Sequence, residues 1–464
     1  MAQCCHAIAD CFTTLSSKPL THGPIVSVSG TVATIWARGT AAGAMRVRYW
    51  SEAEPAAVHV SIAQLDPASD YTGRATCVDL LPETRYHFCV ETAAPDAARV
   101  GSFGTPAVAD KSSPGKGACS FVFGSCVGGQ GYGRIAGDGE TSGFPAFSAM
   151  EGLNPDFFVC NGGVGSMEGG CGGWGHGGAK VEKGGCPRTE EERVRRTCRL
   201  ACAACAACLP PNPNPNPNPN PNPNPNPTPL LPPGDIIYAD NAIEAVATTP
   251  WNKGDSHVVG EELAMAAVDP RLPRLPWIHT FRARYRYHLE EPKLASFYAR
   301  TPLVNTWDDH EIVDDWGAER LIADGKEQLL KDGVQAWFDY HPHTGPPEEP
   351  QRVYRAVRWG PHVELFVLDC RSYRSKHVHL EQPPGSETPQ MSTMLGATQK
   401  AWLLSSLSAS TATWKFICTS VPLSYPTGWP RPQETGYDGW ADGQSGASIG
   451  PEKELLSILE HIRE

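Results

Sequence analysis

Five acidic side chains and one imidazole crowd into residues 303–316, which read LVNTWDDHEIVDDW. Asp308, Asp309, Glu311, Asp314 and Asp315 surround His310, and like charges at that density repel unless a cation sits among them. Hard ions take carboxylate oxygen and borderline ones add imidazole, so a bound metal is one way to hold the segment together. A solvated helix start is the other, because acids in a first turn suit the helix dipole. The stretch alone leaves both readings open.

Three further segments share its layout. Residues 120–123 (SFVF) run into Gly124, Ser125 and Cys126; residues 156–159 (DFFV) run into Cys160, Asn161 and Gly162; residues 363–368 (VELFVL) run into Asp369, Cys370 and Arg371. Short apolar, β-prone runs bounded by turn residues read as strands. Each therefore delivers polar groups at a strand's C-terminal end, where layered α/β folds place their chemistry, so the segments point to one convergent site.

The set FGSC (123–126), GDIIYAD (234–240), WDDHE (307–311), LDCRSYR (368–374) and the run 396–422 resembles the PhoD-like, or alkaline phosphatase D, family of calcineurin-like metallophosphoesterases over most of residues 117–464. The resemblance implies an α/β metallophosphatase sandwich of two mixed β-sheets flanked by helices. It also implies an enzyme, a phosphoric ester hydrolase acting on a small-molecule phosphate mono- or diester through metal-activated water. Cys126, Asp235, Tyr238 and Asp309 stand where the family has metal ligands. His310 stands as proton donor to the leaving oxygen, Glu311 as the group orienting its imidazole, and Arg371 as a contact for substrate phosphate. Iron and calcium are the metals the family brings, and the Tyr, Cys and carboxylate set suits them. The alternative is a catalytically inactive member that serves as a binding or scaffold module.

Charge narrows the partners. A formal net charge of −12 and a pI near 5.7 argue against a nucleic-acid groove. No apolar run reaches the roughly 18 residues of a membrane span. The first residues, MAQCCHAIADCF, lack the basic start and apolar core of a signal peptide, and the scattered cysteines read as those of a reducing, intracellular compartment.

Residues 1–20 read as a disordered tail, and residues 21–108 as a small all-β domain. Thr31 to Arg38, Met45 to Trp50, Ala57 to Ile62 and Thr84 to Glu91 alternate or run apolar at strand length, which suggests an antiparallel sandwich. By resemblance this domain is fibronectin-III-like, with Trp36 and Tyr86 as core residues. The phosphatase domain, 117–464, is interrupted at 163–234 by a Gly-rich, Cys-containing and Pro-Asn-repeat segment. Proline at every second position of the repeat excludes helix and inner strand, so the interruption reads as a disordered insertion. Joining Gly162 to Asp235 restores CNGDIIYADN.

Helical periodicity marks residues 281–298, where Arg284 and Arg286 face a phosphate or, more simply, solvent. It marks 319–340 and a closing helix whose Leu455, Ile458, Leu459 and Ile462 share a face. In the family pattern a further strand with a GD-x-H motif follows that helix. The motif is absent from this sequence, so the domain reads as C-terminally incomplete.

Overall fold

The computed structural model describes residues 14–94, 98–108, 117–124, 127, 134–135, 142–160, 237, 239, 277–376, 392–424, 439–441 and 450–464. Most of the expected tail, the whole 163–234 insertion, and Cys126, Asp235 and Tyr238 lie outside the described residues.

Alternation of apolar and polar residues builds the first unit. Strands β1 (His22–Ser29), β2 (Val32–Arg38) and β5 (Thr72–Cys77) form one antiparallel sheet in the order β1-β2-β5. Strands β3 (Gly43–Ser51), β4 (His59–Leu65), β6 (Arg85–Glu91) and β7 (Arg99–Gly104) form the other, ordered β4-β3-β6-β7. On β3, Met45, Val47 and Tyr49 enter the core, while Arg46 and Arg48 turn outward to Glu91 of β6. Tyr86 is buried, and its hydroxyl accepts the Leu81 N–H at 2.9 Å, closing the corner ahead of β6.

The second unit carries two further sheets. Strands β8 (Phe121–Gly124), β9 (Phe157–Cys160) and β10 (Leu303–Asn305) are parallel in the order β10-β9-β8. Strands β11 (Arg355–Trp359), β12 (Val363–Val367) and β13 (Trp414–Cys418) form a mixed sheet, β11 antiparallel and β13 parallel to β12. Among the described residues only one of the two sheets is mixed; the other is wholly parallel. Phe121 bridges them, stacked on Phe157 at 4.8 Å and edge-on to Phe416 at 5.4 Å. Val159, Val304, Val363, Leu365 and Val367 pack in the same apolar cluster.

Helices cover the outer faces: α1 (Pro145–Gly152), α2 (Trp277–Leu289), α3 (Pro292–Arg300), α4 (Ala318–Ala323), α5 (Glu327–Tyr340), α6 (Gly396–Ala409) and α7 (Pro451–Arg463). The single helix read across 281–298 is two, because Pro292 starts a new one and the Glu291 carboxylate caps it by accepting the Leu294 N–H at 2.8 Å. The 319–340 stretch also divides, at Gly325, whose φ of 73° stops α4. Arg284 and Arg286 do not face solvent; both are buried, and Arg286 reaches Asp70 of the first unit. On α7 the buried side runs through Glu454 and Ile458, so Leu459 and Ile462 are half exposed rather than on the packed face. Among the described residues no helix is long and apolar enough to cross a membrane.

Candidate metal centre

Strand β10 stops at Asn305, and the chain then enters the acidic segment pinned on both sides. Thr306 donates its N–H to Cys160 O at 3.2 Å and its hydroxyl to Leu368 O at 2.8 Å, bridging the ends of β9 and β12. Trp307 donates its indole N–H to Asp369 Oδ1 at 2.9 Å. Trp316 closes the loop by donating its indole N–H to Asp308 O at 2.9 Å and packing edge-on against Trp307. The four residues between these tryptophan anchors and the turn, Asp308 to Glu311, are all buried. That excludes the solvated helix start, and no helix begins between Asn305 and Ala318.

Inside the loop each acid is placed differently. Asp308 Oδ1 accepts Arg371 Nε at 2.8 Å and Nη2 at 2.6 Å. Asp309 accepts the His310 and Asp315 N–H groups at 3.1 and 2.9 Å, with Arg371 Nη2 at 3.5 Å. Glu311 Oε2 accepts the Asp308 N–H at 2.8 Å, so the contact shown for this carboxylate ties the loop to itself. His310 Nε2 lies 3.6 Å from Asp314 Oδ1, one helical turn along the sequence. One ligand atom each from Asp309, His310 and Asp314 falls within 4.8 Å of the others, a spacing that could hold a metal ion. The donor set of two carboxylates and an imidazole fits a hard or borderline cation.

Of the residues singled out in sequence, the structure thus brings Asp309, His310 and Glu311 into one buried loop and sets Arg371 against it. Arg371 is wholly buried, with its guanidinium turned to Asp308 and Asp309. Ala239 donates its N–H to His310 O at 2.7 Å, and Ile237 and Ala239 are fully buried, so Ala239 is tied to the same loop. Asp314 and Asp308 were not among the residues assigned a role. Their signal was available in the i, i+4 spacing of His310 and Asp314; Asp308 becomes legible only once Arg371 is seen beside it.

A family profile described as PhoD-like phosphatase matches residues 225–464, slightly more than half of the chain. Alkaline phosphatase D from Bacillus subtilis (strain 168) is 28% identical over 155 residues, which cover 31% of this chain and 26% of that protein. A solved structure of PhoD superposes over 97% of this chain and 70% of its own length with a TM-score of 0.59 at 16% identity. At that identity the superposition speaks for the fold.

Proposed function

This chain belongs to the PhoD-like phosphatase family, and from that premise we propose that it hydrolyses phosphate mono- or diesters with a metal held at the acidic loop. The observation that carries the reading is the grouping of Asp309 and His310, both buried, with the exposed Asp314, whose side-chain donor atoms lie within 4.8 Å of one another at the carboxyl end of a parallel strand. Uncatalysed ester hydrolysis is among the slowest of biological reactions. A bound cation supplies charge neutralisation at the phosphoryl oxygens and a nucleophile available near neutral pH.

The chain's own residues do the rest. Asp309, with Cys126, Asp235 and Tyr238 by resemblance, would hold iron, and calcium would share the carboxylates. Two backbone N–H groups already fix the Asp309 carboxylate, so its ligand geometry is set before any ion arrives. His310 would give a proton to the leaving oxygen. Arg371 we read as a positioning residue: its place between Asp308 and Asp309 supports holding the ligand loop, where the resemblance alone had suggested a phosphate contact. The ordering β1-β2-β5 against β4-β3-β6-β7, with the Tyr86 corner, supports a fibronectin-III-like reading of the first unit.

Metal analysis of the purified chain, together with turnover of a chromogenic phosphate monoester and diester, tests the proposal. Bound metal with turnover of either ester supports it. A folded chain that holds no metal and turns over neither ester would instead be the inactive scaffold.

A further inference from the structure

Among the described residues, three buried polar side chains stand unmatched at the ends of parallel strands. Asn305 closes β10 at 1% exposure with neither amide atom bonded; Asp369, two residues past β12, is 1% exposed with Oδ2 unbonded; Ser420, two residues past β13, is 0% exposed with Oγ unbonded. Strands β12 and β13 pair as far as Val367 and Cys418, and the Leu368 N–H still donates to Cys418 O at 2.9 Å. Asp369 and Ser420 therefore leave adjacent strands in step.

Asp369 is fixed with unusual thoroughness. Gln399 clamps its main chain, accepting the Asp369 N–H at 2.9 Å and donating to Asp369 O at 2.9 Å. Its Oδ1 accepts three N–H groups, from Trp307 Nε1 at 2.9 Å, Arg371 N at 3.0 Å and Ser372 N at 2.9 Å. All of these contacts orient the carboxylate, yet among the described residues Oδ2 meets no donor. A buried carboxylate oxygen without a partner is costly, and native folds tolerate one where it has a use. The Arg371 guanidinium does not serve it, since Nε and Nη2 are directed to Asp308.

We propose that Asp369 Oδ2 is a ligand atom for a hard divalent cation of the magnesium or calcium kind, with Ser420 Oγ as a second oxygen donor and water completing the shell. Such ions are commonly held by one or two carboxylates while keeping several waters. Asp369 does not belong to the Asp309, His310 and Asp314 grouping. The site stands independently of ester hydrolysis, because it follows from unmatched oxygens and not from the family reaction.

Terbium(III), a hard ion with the same oxygen preference, is a direct probe of the full chain. Trp307 shares the Asp369 carboxylate, so terbium at Oδ2 will luminesce on tryptophan excitation. The expected result is a luminescent binding step that calcium displaces, that Asp369→Asn abolishes and that Asp309→Asn leaves in place. Ser420→Ala, which removes a hydroxyl without a partner, is expected to fold normally and to weaken terbium binding about tenfold. No luminescent step, a step unchanged in Asp369→Asn, or a step lost in Asp309→Asn would overturn the proposal. Should Asp369→Asn not fold, unaltered affinity in Ser420→Ala overturns it by the same measure.

Discussion

Trp36 in β2 donates its indole N–H to the main-chain oxygen of Asp339 in α5 at 2.7 Å, joining residues 303 positions apart across the boundary between the sandwich and the phosphatase layers. Its ring packs on Tyr340 with centroids 5.6 Å apart. A polar seam runs beside it. Asp70 accepts from Arg38 at 2.9 and 3.0 Å, from Arg286 at 2.5 Å and from the Tyr340 hydroxyl. Arg282 of α2 reaches both Ala68 O at 2.6 Å and Asp339 Oδ2. The sandwich is thus part of what holds α2 and α5 in place, and those helices pack behind the metal loop.

Trp36→Ala is expected to remove about 3–5 kcal/mol, the usual loss for a large buried aromatic. Because the indole is shared by both units, the loss should appear in one cooperative transition. Urea melts followed by fluorescence and by circular dichroism check this, and a variant whose sandwich melts early while the remainder keeps the wild-type midpoint would contradict the shared seam.

Arg371→Met is expected to cost about 3–5 kcal/mol, because Asp308 would be left buried without its counter-charge. Arg371→Lys should recover only part of this, since a lysine cannot reproduce the guanidinium fork across Asp308 and Asp309. Asp308→Asn placed on the Arg371→Met background removes the stranded charge, so the double variant should be more stable than Arg371→Met alone. Midpoints that simply add would mean the pair is not coupled.

In the site itself, Asp309→Asn is expected to lose bound metal, whereas His310→Ala should keep metal and lose turnover. The contrast separates a ligand from a proton donor. Metal loss in His310→Ala would move His310 into the ligand set with Asp314, as their 3.6 Å approach permits.

Much of the architecture was legible because local pattern and tertiary demand agree there. The alternation in β3 and the apolar runs that became β8, β9, β10, β12 and β13 each end within a residue or two of where the turn residues stand. What failed was the environment of cations. Arg284 and Arg286 look like the solvated face of a basic helix, and only the arrival of Asp70 from 216 residues away makes burial of Arg286 affordable. Arg371, too, has its surroundings set from far along the chain: two residues from Asp369 in sequence, it turns to Asp308, which is 63 residues distant. Cys126, Asp235 and Tyr238, the ligands read from resemblance, lie outside the described residues.

The seam also sets a response to acid. Burial lowers the pKa of His22 to about 3, helped by Arg38, Arg286 and Arg99 against the opposing Asp70. Burial likewise lowers that of His341 to about 3, with Arg74 and Arg355 adding to it against the Trp337 carbonyl. Both histidines are neutral when folded, while the unfolded chain takes protons near the ordinary value of 6.5. Their contribution is therefore whole above 6.5 and is lost as pH falls from there toward 3. Asp70 follows lower down: burial pushes its carboxyl up, but Arg38 and Arg286 outweigh that and bring it to about 2 from 3.8. Its contribution stays whole above 3.8 and is lost between there and 2. Urea midpoints should hence fall with acidification first in the histidine window, and His341→Asn, which keeps a donor near the Trp337 oxygen, should flatten that part of the profile. A wild-type midpoint that stays level between neutral pH and pH 4.5, or a slope that His341→Asn leaves untouched, would show that these histidines do not carry the acid response.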